Sequence, residues 1–234
     1  MHDNARKYMA EFLGTFTLVF IGTAVATLQG GVLGQSYGPA GLLMVSFAFG
    51  GTLLVQVLVI GPISGCHLNP AVTIPMALSG RHKWSLVPGY LIAQFAGALA
   101  ASAVLLALLN GFQNSPIVYE VAKHGLGANG NPHNASTGAL VGWELVMTAL
   151  FLFTIFSATR GDFTPGFAAL AIGGFLFIAH LVGAQLGDSS LNPARSFGPA
   201  IMSGGGMKEL WIFMTAPMIG GIIGWLLYKI IYAD

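Results

Sequence analysis

Leu68-Asn69-Pro70-Ala71 is the stretch that decides the fold of this chain, because the same four residues return as Leu191-Asn192-Pro193-Ala194. Each copy follows a short loop of small and polar residues and leads into a short, mostly apolar run. A single Asn-Pro pair is weak evidence, since such a pair usually opens an ordinary turn or helix. Two copies in matching contexts, one in each half of the chain, predict a duplicated unit.

The composition indicates a membrane protein. Of the 234 residues, 55% are hydrophobic and only 7% are charged, whereas soluble domains carry about 25% charged residues. So few charges do not cover the surface of a soluble fold of this size, and lipid is the expected solvent. The formal net charge of +1 argues against nucleic acid or another acidic partner. The single cysteine, Cys66, excludes an internal disulfide.

An apolar helix needs about 20 residues to cross a bilayer, and six stretches of about this length are present. They lie at about residues 9–28, 40–60, 86–109, 138–158, 166–185 and 209–232. Two shorter apolar runs, at about 69–79 and 192–202, begin at the Asn-Pro pairs. Proline fits the first position of a helix, where its missing N–H would have no partner, so we predict two half-helices. Non-helical backbone at membrane depth is tolerated only when it is buried in protein or lines a wet cavity, which predicts an internal aqueous path.

The spans fall into two matching sets of three, each with a half-helix between the second span and the third. We predict a single channel domain over residues 1–234, with repeat one at about 8–110 and repeat two at about 137–232. An odd number of spans per repeat places the repeats in opposite orientations, related by a pseudo-two-fold axis in the membrane plane. Glu11 and Glu144 occupy matching places early in the first span of each repeat.

The distribution of basic residues predicts the orientation in the membrane, because cytoplasmic loops carry an excess of Lys and Arg. Six basic residues fall on one predicted side and three on the other. The six are Arg6, Lys7, Arg81, Lys83, Arg160 and Lys229, and the three are Lys123, Arg195 and Lys208. Both termini are therefore expected in the cytoplasm.

The two half-helices are expected to meet near the midplane with their N-termini facing each other. Each N-terminus carries unpaired N–H groups and about half a positive charge, so the pair repels cations and orients neutral molecules oxygen-first. Asn69 and Asn192 add amide donors, and a file of water polarised in this way opposes proton relay. The loops before the half-helices are expected to offer backbone carbonyls as acceptors. These carbonyls belong to Gly65, Cys66, His67, Leu68, Asp188, Ser190 and Leu191.

The polar residues at membrane depth each have alternative roles. An arginine there normally faces a cavity or a partner, so Arg195 is expected to line the path. Its alternatives are snorkelling to the outer interface or pairing with Asp188. His180 either lines the path or packs in the core, and it has no metal-ligand partner at i+3 or i+4. Glu11 and Glu144 either relay protons or accept hydrogen bonds from the loops, and the second role suits one buried carboxylate per repeat.

The two Asn-Pro-Ala boxes, the Glu pair and Arg195 together resemble those of the aquaporin (major intrinsic protein) family over nearly the whole chain. The resemblance implies an all-α integral membrane protein, built as a right-handed bundle of six transmembrane helices plus two re-entrant half-helices with an inverted internal repeat. It also implies a pore in every protomer and usually a homotetramer, here expected in the cell membrane. No cofactor, metal or enzymatic activity is expected.

The family's outer constriction is a quartet whose matching positions are Phe49, His180, Ser189 and Arg195. Phe49 and His180 match water channels, since glycerol facilitators carry an aromatic residue and a glycine at these two places. Ser196 and Ala200 also match water channels, whereas glycerol facilitators carry an Asp and a basic residue there. Ser189 stands where Thr, Cys or Ala is common, which leaves the ring slightly wider.

The resemblance therefore implies a passive water channel that excludes protons and ions, and the alternative is a facilitator of glycerol or another small neutral solute. Phe213-Met214 stands where many water channels have an aromatic residue followed by Trp, which keeps the alternative open. An intramembrane hydrolase would need a Gly-x-Ser-x-Gly elbow or a His-Glu-x-x-His motif, and the sequence contains neither. The remaining functional class is a structural junction protein that holds membranes together, which some members of the family resemble.

Overall fold

The structure is a computed structural model that describes residues 3–31, 38–112, 125–131, 134–164, 166–183 and 189–232. Within these ranges the regular structure is helical, with one short 3-10 turn at Trp84–Leu86. The helices are α1 (Asp3–Gly31), α2 (Pro39–Ser64), α3 (Pro70–Leu78), α4 (Val87–Asn110), α5 (Thr137–Ala158), α6 (Ala168–Gly183), α7 (Pro193–Ser203) and α8 (Leu210–Ile231).

Five of these helices, α1, α2, α4, α5 and α8, are long and apolar enough to cross a membrane. The described part of α6 has 16 residues and ends where residues 184–188 lie outside the description. Large apolar side chains on the outer surface are exposed, among them Phe47 at 69%, Ile92 at 70% and Ile230 at 74%. Such a surface is stable against hydrocarbon and not against water, as the composition predicted.

The described helices lie at the predicted spans, but α2 continues to Ser64 rather than about 60, and the predicted end of the fifth span falls outside the described residues. The largest difference is at the start of α1, which begins at Asp3 rather than near residue 9. The first residues are polar, and Lys7 pairs with Asp3 at 2.5 Å along the helix. Pairs four residues apart support a helix, while a hydropathy pattern detects only the part of a helix that lies in lipid. The helix therefore continues beyond its apolar segment.

The two half-helices begin at the Asn-Pro pairs, as predicted. The Asn69 side chain caps α3 by accepting from the Ala71 N–H at 2.8 Å. The Asn192 side chain caps α7 by accepting from the Ala194 N–H at 3.0 Å. Asparagine is a favoured capping residue, and the proline that follows each one occupies the first helical position. The same local chemistry thus starts both half-helices.

The packing has the same pattern in both halves of the chain. In the first half α1 packs on α2 and α4, and in the second half α5 packs on α6 and α8. Each half-helix packs more extensively on the last helix of the other half than on that of its own, so α3 lies on α8 and α7 lies on α4. The α2–α6 contact completes the connection between the halves. This exchange brings the two re-entrant segments into the middle of the bundle.

Small residues allow the last helix of each half to approach the first. On α8, a Cβ added at Gly220 would lie 2.4 Å from the Leu145 carbonyl oxygen, and one added at Gly224 would lie 2.2 Å from the Ala149 carbonyl oxygen. At Gly97 on α4 an added Cβ would lie 2.5 Å from the Phe12 carbonyl oxygen. Glycine at these positions permits backbone-to-backbone packing between membrane helices.

Gly224→Ala is therefore expected to lower the melting temperature of the purified protein, because its methyl group would overlap a backbone carbonyl. Overpacking of this kind costs about 1–3 kcal/mol. Gly142→Ala on α5 is the matched control, since nothing lies within 4 Å of an added Cβ there. The helical circular dichroism signal, followed against temperature, measures the difference in melting temperature between the two variants. An unchanged melting temperature for Gly224→Ala would contradict the close approach of α5 and α8.

Candidate functional site

An internal cavity of about 90 Å³ lies between the two halves of the bundle. Its wall includes Phe49 of α2, His180 of α6 and Arg195 of α7. It also includes both capping asparagines, Asn69 and Asn192. The cavity is therefore lined by the asparagines of both Asn-Pro-Ala boxes and by three of the four residues of the predicted constriction.

Reciprocal hydrogen bonds join the two half-helix starts. The Asn69 side-chain amide donates to the Leu191 carbonyl oxygen at 2.7 Å. The Asn192 amide donates to the Leu68 carbonyl oxygen at 2.9 Å. A primary amide carries two N–H groups, so each asparagine has a second donor with which to meet a molecule in the cavity. The two helix N-termini, each with its partial positive charge, thus lie side by side at the cavity wall.

Glu11 is held against the loop that precedes α3. Its carboxylate accepts from the backbone N–H of His67 at 2.9 Å and of Leu68 at 2.7 Å. It also accepts from the Ser64 hydroxyl and from the Gln94 amide, each at 2.8 Å. Four donors account for both carboxylate oxygens. This arrangement favours loop support over proton relay for Glu11.

Glu144 holds the second loop in the corresponding way. Its carboxylate accepts from the backbone N–H of Ser190 at 2.6 Å and of Leu191 at 2.9 Å. Leu68 and Leu191 both have positive φ, 51° and 54°, a conformation that non-glycine residues rarely adopt. Such a strained backbone persists only where surrounding bonds over-determine it. The two glutamates supply those bonds, one in each half of the chain.

Arg195 is buried and held from two sides. Only 3% of the residue is exposed, which excludes snorkelling to the interface. Its guanidinium donates to the Gly127 carbonyl oxygen at 2.8 Å and to Asn129 Oδ1 at 2.5 Å. The guanidinium carbon lies 4.7 Å from the centre of the Phe49 ring, a distance typical of cation–π contact. The predicted alternative partner, Asp188, lies outside the described residues.

His180 stacks on Phe49 in the wall of the cavity. The ring centres are 4.4 Å apart with an interplanar angle of 16°. His180 Nδ1 lies 2.9 Å from the Leu176 carbonyl oxygen, and because a carbonyl only accepts, Nδ1 carries the proton. In the neutral ring with this tautomer, Nε2 carries an acceptor lone pair. An apolar ring, an imidazole acceptor and a guanidinium donor thus meet in one cluster.

Ser189, the fourth residue of the predicted quartet, has its hydroxyl bound within the protein. Ser189 Oγ donates to the Ala179 carbonyl oxygen at 3.0 Å and accepts from Trp143 Nε1 at 3.0 Å. The neighbouring residues Ser190 and Leu191 line the cavity beside it.

Residues predicted to offer backbone carbonyls line the cavity from both loops. They are Gly65, Cys66 and His67 in the first loop and Ser190 and Leu191 in the second. Gly65 ends α2 with φ of 86°, a left-handed conformation that glycine adopts without strain. The carbonyls of Leu68 and Leu191 accept from the asparagine amides, and each carbonyl has a second lone pair. Asp188 lies outside the described residues.

Comparison with known proteins agrees with this geometry. The family model described as Major intrinsic protein matches residues 1–228. The chain belongs to the major intrinsic protein family. This member of the family is a multi-pass integral membrane protein.

Two curated relatives are bacterial. This major intrinsic protein is 41% identical to Aquaporin Z of Rhodopseudomonas palustris over 97% of this chain and 94% of that protein. It is 42% identical to Aquaporin Z of Bradyrhizobium diazoefficiens over 96% of this chain and 92% of that protein. Among solved structures, the aquaglyceroporin from Plasmodium falciparum superposes with a TM-score of 0.80 at 23% identity. That superposition covers 98% of this chain and 97% of the other, and it shows the fold alone.

Three residues of this major intrinsic protein that position the site were not identified from its sequence. Gly127 and Asn129 hold Arg195 from the connector between α4 and α5. Trp143 holds Ser189 from α5. Asn129 also accepts from the Ser196 hydroxyl at 2.6 Å. No local pattern marks these residues, because each acts on a residue at least 46 positions away.

Proposed function

We propose that this chain is a passive water channel, in which water moves by osmotic diffusion in single file through one pore in each protomer. The observation that carries the proposal is the pair of reciprocal bonds between Asn69 and Leu191 and between Asn192 and Leu68. These bonds place two helix N-termini and two amide donors at the wall of one internal cavity. The family membership and the two relatives named Aquaporin Z support the same function.

Proton and cation exclusion follows from the charges at this wall. The half-helix N-termini are partly positive, and Asn69 and Asn192 donate rather than accept toward the cavity. A water molecule between them presents its oxygen to the amides and its hydrogens outward in both directions. A proton cannot pass along a file whose two halves donate away from the centre. Each water molecule reorients as it passes the asparagine pair, so the opposite orientations of the two halves of the file are kept while water moves through.

We propose that Phe49, His180, Ser189 and Arg195 form the selectivity constriction. The Arg195 guanidinium donates and the His180 Nε2 lone pair accepts. A water molecule at the constriction therefore forms hydrogen bonds to these two side chains in place of those it made to neighbouring water molecules. The Phe49 ring supplies an apolar wall that gives no hydrogen bond to a competing solute. Glycerol needs several polar partners and a wider passage, so it is expected to pass slowly. The carbonyls of the two loops then receive the water on either side of the asparagine pair.

Osmotic measurements test the proposal directly. Vesicles that contain the purified protein are expected to shrink much faster than empty vesicles in a sucrose gradient. The activation energy of water permeation is expected to be low, because water remains hydrogen-bonded along the pore. The same vesicles in a glycerol gradient are expected to shrink and then reswell slowly. An unchanged shrinkage rate in sucrose would refute the water channel. Fast reswelling in glycerol would instead establish the glycerol facilitator as the function.

We propose that the protein acts as a homotetramer in the cell membrane with both termini in the cytoplasm. The excess of Lys and Arg on the predicted cytoplasmic side supports this orientation. The exposed apolar faces, such as that of Phe47, suit either lipid or a second copy of the chain. Protease protection of terminal tags in sealed vesicles tests the orientation, and native mass spectrometry tests the tetramer.

A further inference from the structure

The Ser189 hydroxyl lies where two helices, α5 and α6, contact the loop before α7. It donates to the Ala179 carbonyl of α6 and accepts from the indole N–H of Trp143 on α5. Ser189 is fully buried. Both polar functions of the hydroxyl are therefore used inside the protein, and its position is set by α5 and α6 together with its own loop before α7.

The tryptophan belongs to a larger clamp on the same loop. Trp143 and Glu144 are consecutive on α5, and they bind three consecutive residues. Trp143 binds Ser189, and Glu144 binds the backbone N–H groups of Ser190 and Leu191. One short segment of a rigid helix thus determines where the loop lies relative to the cavity.

The contact between the indole and the hydroxyl depends on a glycine. An added Cβ at Gly183 would lie 1.6 Å from Ser189 Oγ and 2.6 Å from Trp143 Nε1. Any side chain at this position would occupy the place of the hydrogen bond. The close fit means that the loop has little room to move while the tryptophan and the glycine are present.

The two halves of the chain differ at this position. Glu11 and Glu144 hold the two loops in the same way, but Ala10 precedes Glu11 where Trp143 precedes Glu144. An alanine has no donor to offer. Among the residues that the structure describes, a tether from the residue before the glutamate therefore occurs on the loop that leads to Arg195, which carries Ser189 of the proposed constriction.

We propose that Trp143 is a positioning residue that sets the width of the constriction by fixing the position of Ser189 and stopping its loop from moving outward. The inference rests on the proposed function, since it concerns the passage of solutes through the same pore. Without the indole, Ser189 loses the hydrogen bond from Trp143 Nε1. The space that the five-membered ring of the indole had filled then becomes open to the loop. The loop then relaxes outward, and the passage beside Phe49 and His180 becomes wider for solutes larger than water.

Trp143→Phe tests this role, because it keeps an aromatic ring and removes the N–H donor. In reconstituted vesicles the ratio of glycerol to water permeability is expected to rise at least about threefold. Ser189→Ala removes the same hydrogen bond from the other side and is expected to raise the ratio at least as much. Trp211→Phe is the matched control, since Trp211 is 54% exposed at the start of α8, and its ratio is expected to remain native.

The double variant Trp143→Phe with Ser189→Ala separates positioning from a general loss of packing. If Trp143 acts through Ser189, the double variant has the ratio of Ser189→Ala alone, because contacting residues are not additive when one acts through the other. An unchanged ratio in Trp143→Phe would refute the inference, as would an equal further rise in the Ser189→Ala background. If Trp143→Phe fails to fold, Ser189→Ala alone decides, and a native ratio there refutes the inference. Absent water permeability in the native protein would instead refute the proposed channel.

Discussion

Arg195→Val is expected to let protons and small cations leak through the channel while water still passes. The guanidinium is buried beside the Phe49 ring and in the cavity wall. The guanidinium repels a cation in the lumen about 4 Å away by roughly 4 kcal/mol at an effective dielectric constant of about 20. That barrier corresponds to roughly a thousandfold in rate. Water in the lumen and the remaining positive helix ends reduce the change, so we expect an increase of at least about tenfold.

The measurement is proton influx into vesicles with an internal pH dye, made together with osmotic shrinkage on the same preparation. Lys208→Val is the matched control, because it removes the same formal charge from a side chain that is 93% exposed. Its proton influx is expected to equal that of the native protein. A native rate of influx in Arg195→Val would show that this side chain does not filter cations. Lost water permeability in that variant would show that Arg195 is needed for the pore itself.

The double variant Phe49→Trp with His180→Gly is expected to raise glycerol permeability at least about tenfold, which corresponds to about 1.4 kcal/mol off the barrier. Phe49 and His180 stack at 4.4 Å, so removal of the imidazole opens the wall beside the aromatic ring. The larger indole then presents an apolar surface to the carbon chain of the solute. Removal of the Nε2 acceptor also weakens the fit to a single water molecule.

Glycerol reswelling of vesicles measures this effect. Phe47→Trp with Ile178→Gly is the matched control, because it makes comparable changes on the outer faces of the same two helices, where Phe47 is 69% and Ile178 is 54% exposed. Its glycerol permeability is expected to remain native. If the Phe49 and His180 pair gives no rise above this control, the two residues do not form the constriction.

Local signals in the sequence predicted most of the architecture. The two Asn-Pro pairs predicted where the half-helices begin, because a capping asparagine and a proline at the first helical position act within a few residues of each other. The apolar runs predicted the helices, since a bilayer requires both length and hydropathy. The polar start of α1 was missed because hydropathy carries no information about a helix outside lipid. These signals need no knowledge of what the chain packs against.

The sequence by itself determined that the chain is a membrane protein with two re-entrant half-helices and a carboxylate in each half. Only the tertiary structure decided what holds the site in place: Asn129 and Gly127 on Arg195, and Trp143 on Ser189. Caps and apolar periodicity are encoded in neighbouring residues, so they are visible in a single stretch. A hydrogen bond such as that from Asn69 to Leu191 joins residues 122 positions apart, and it exists only once the helices between them have packed.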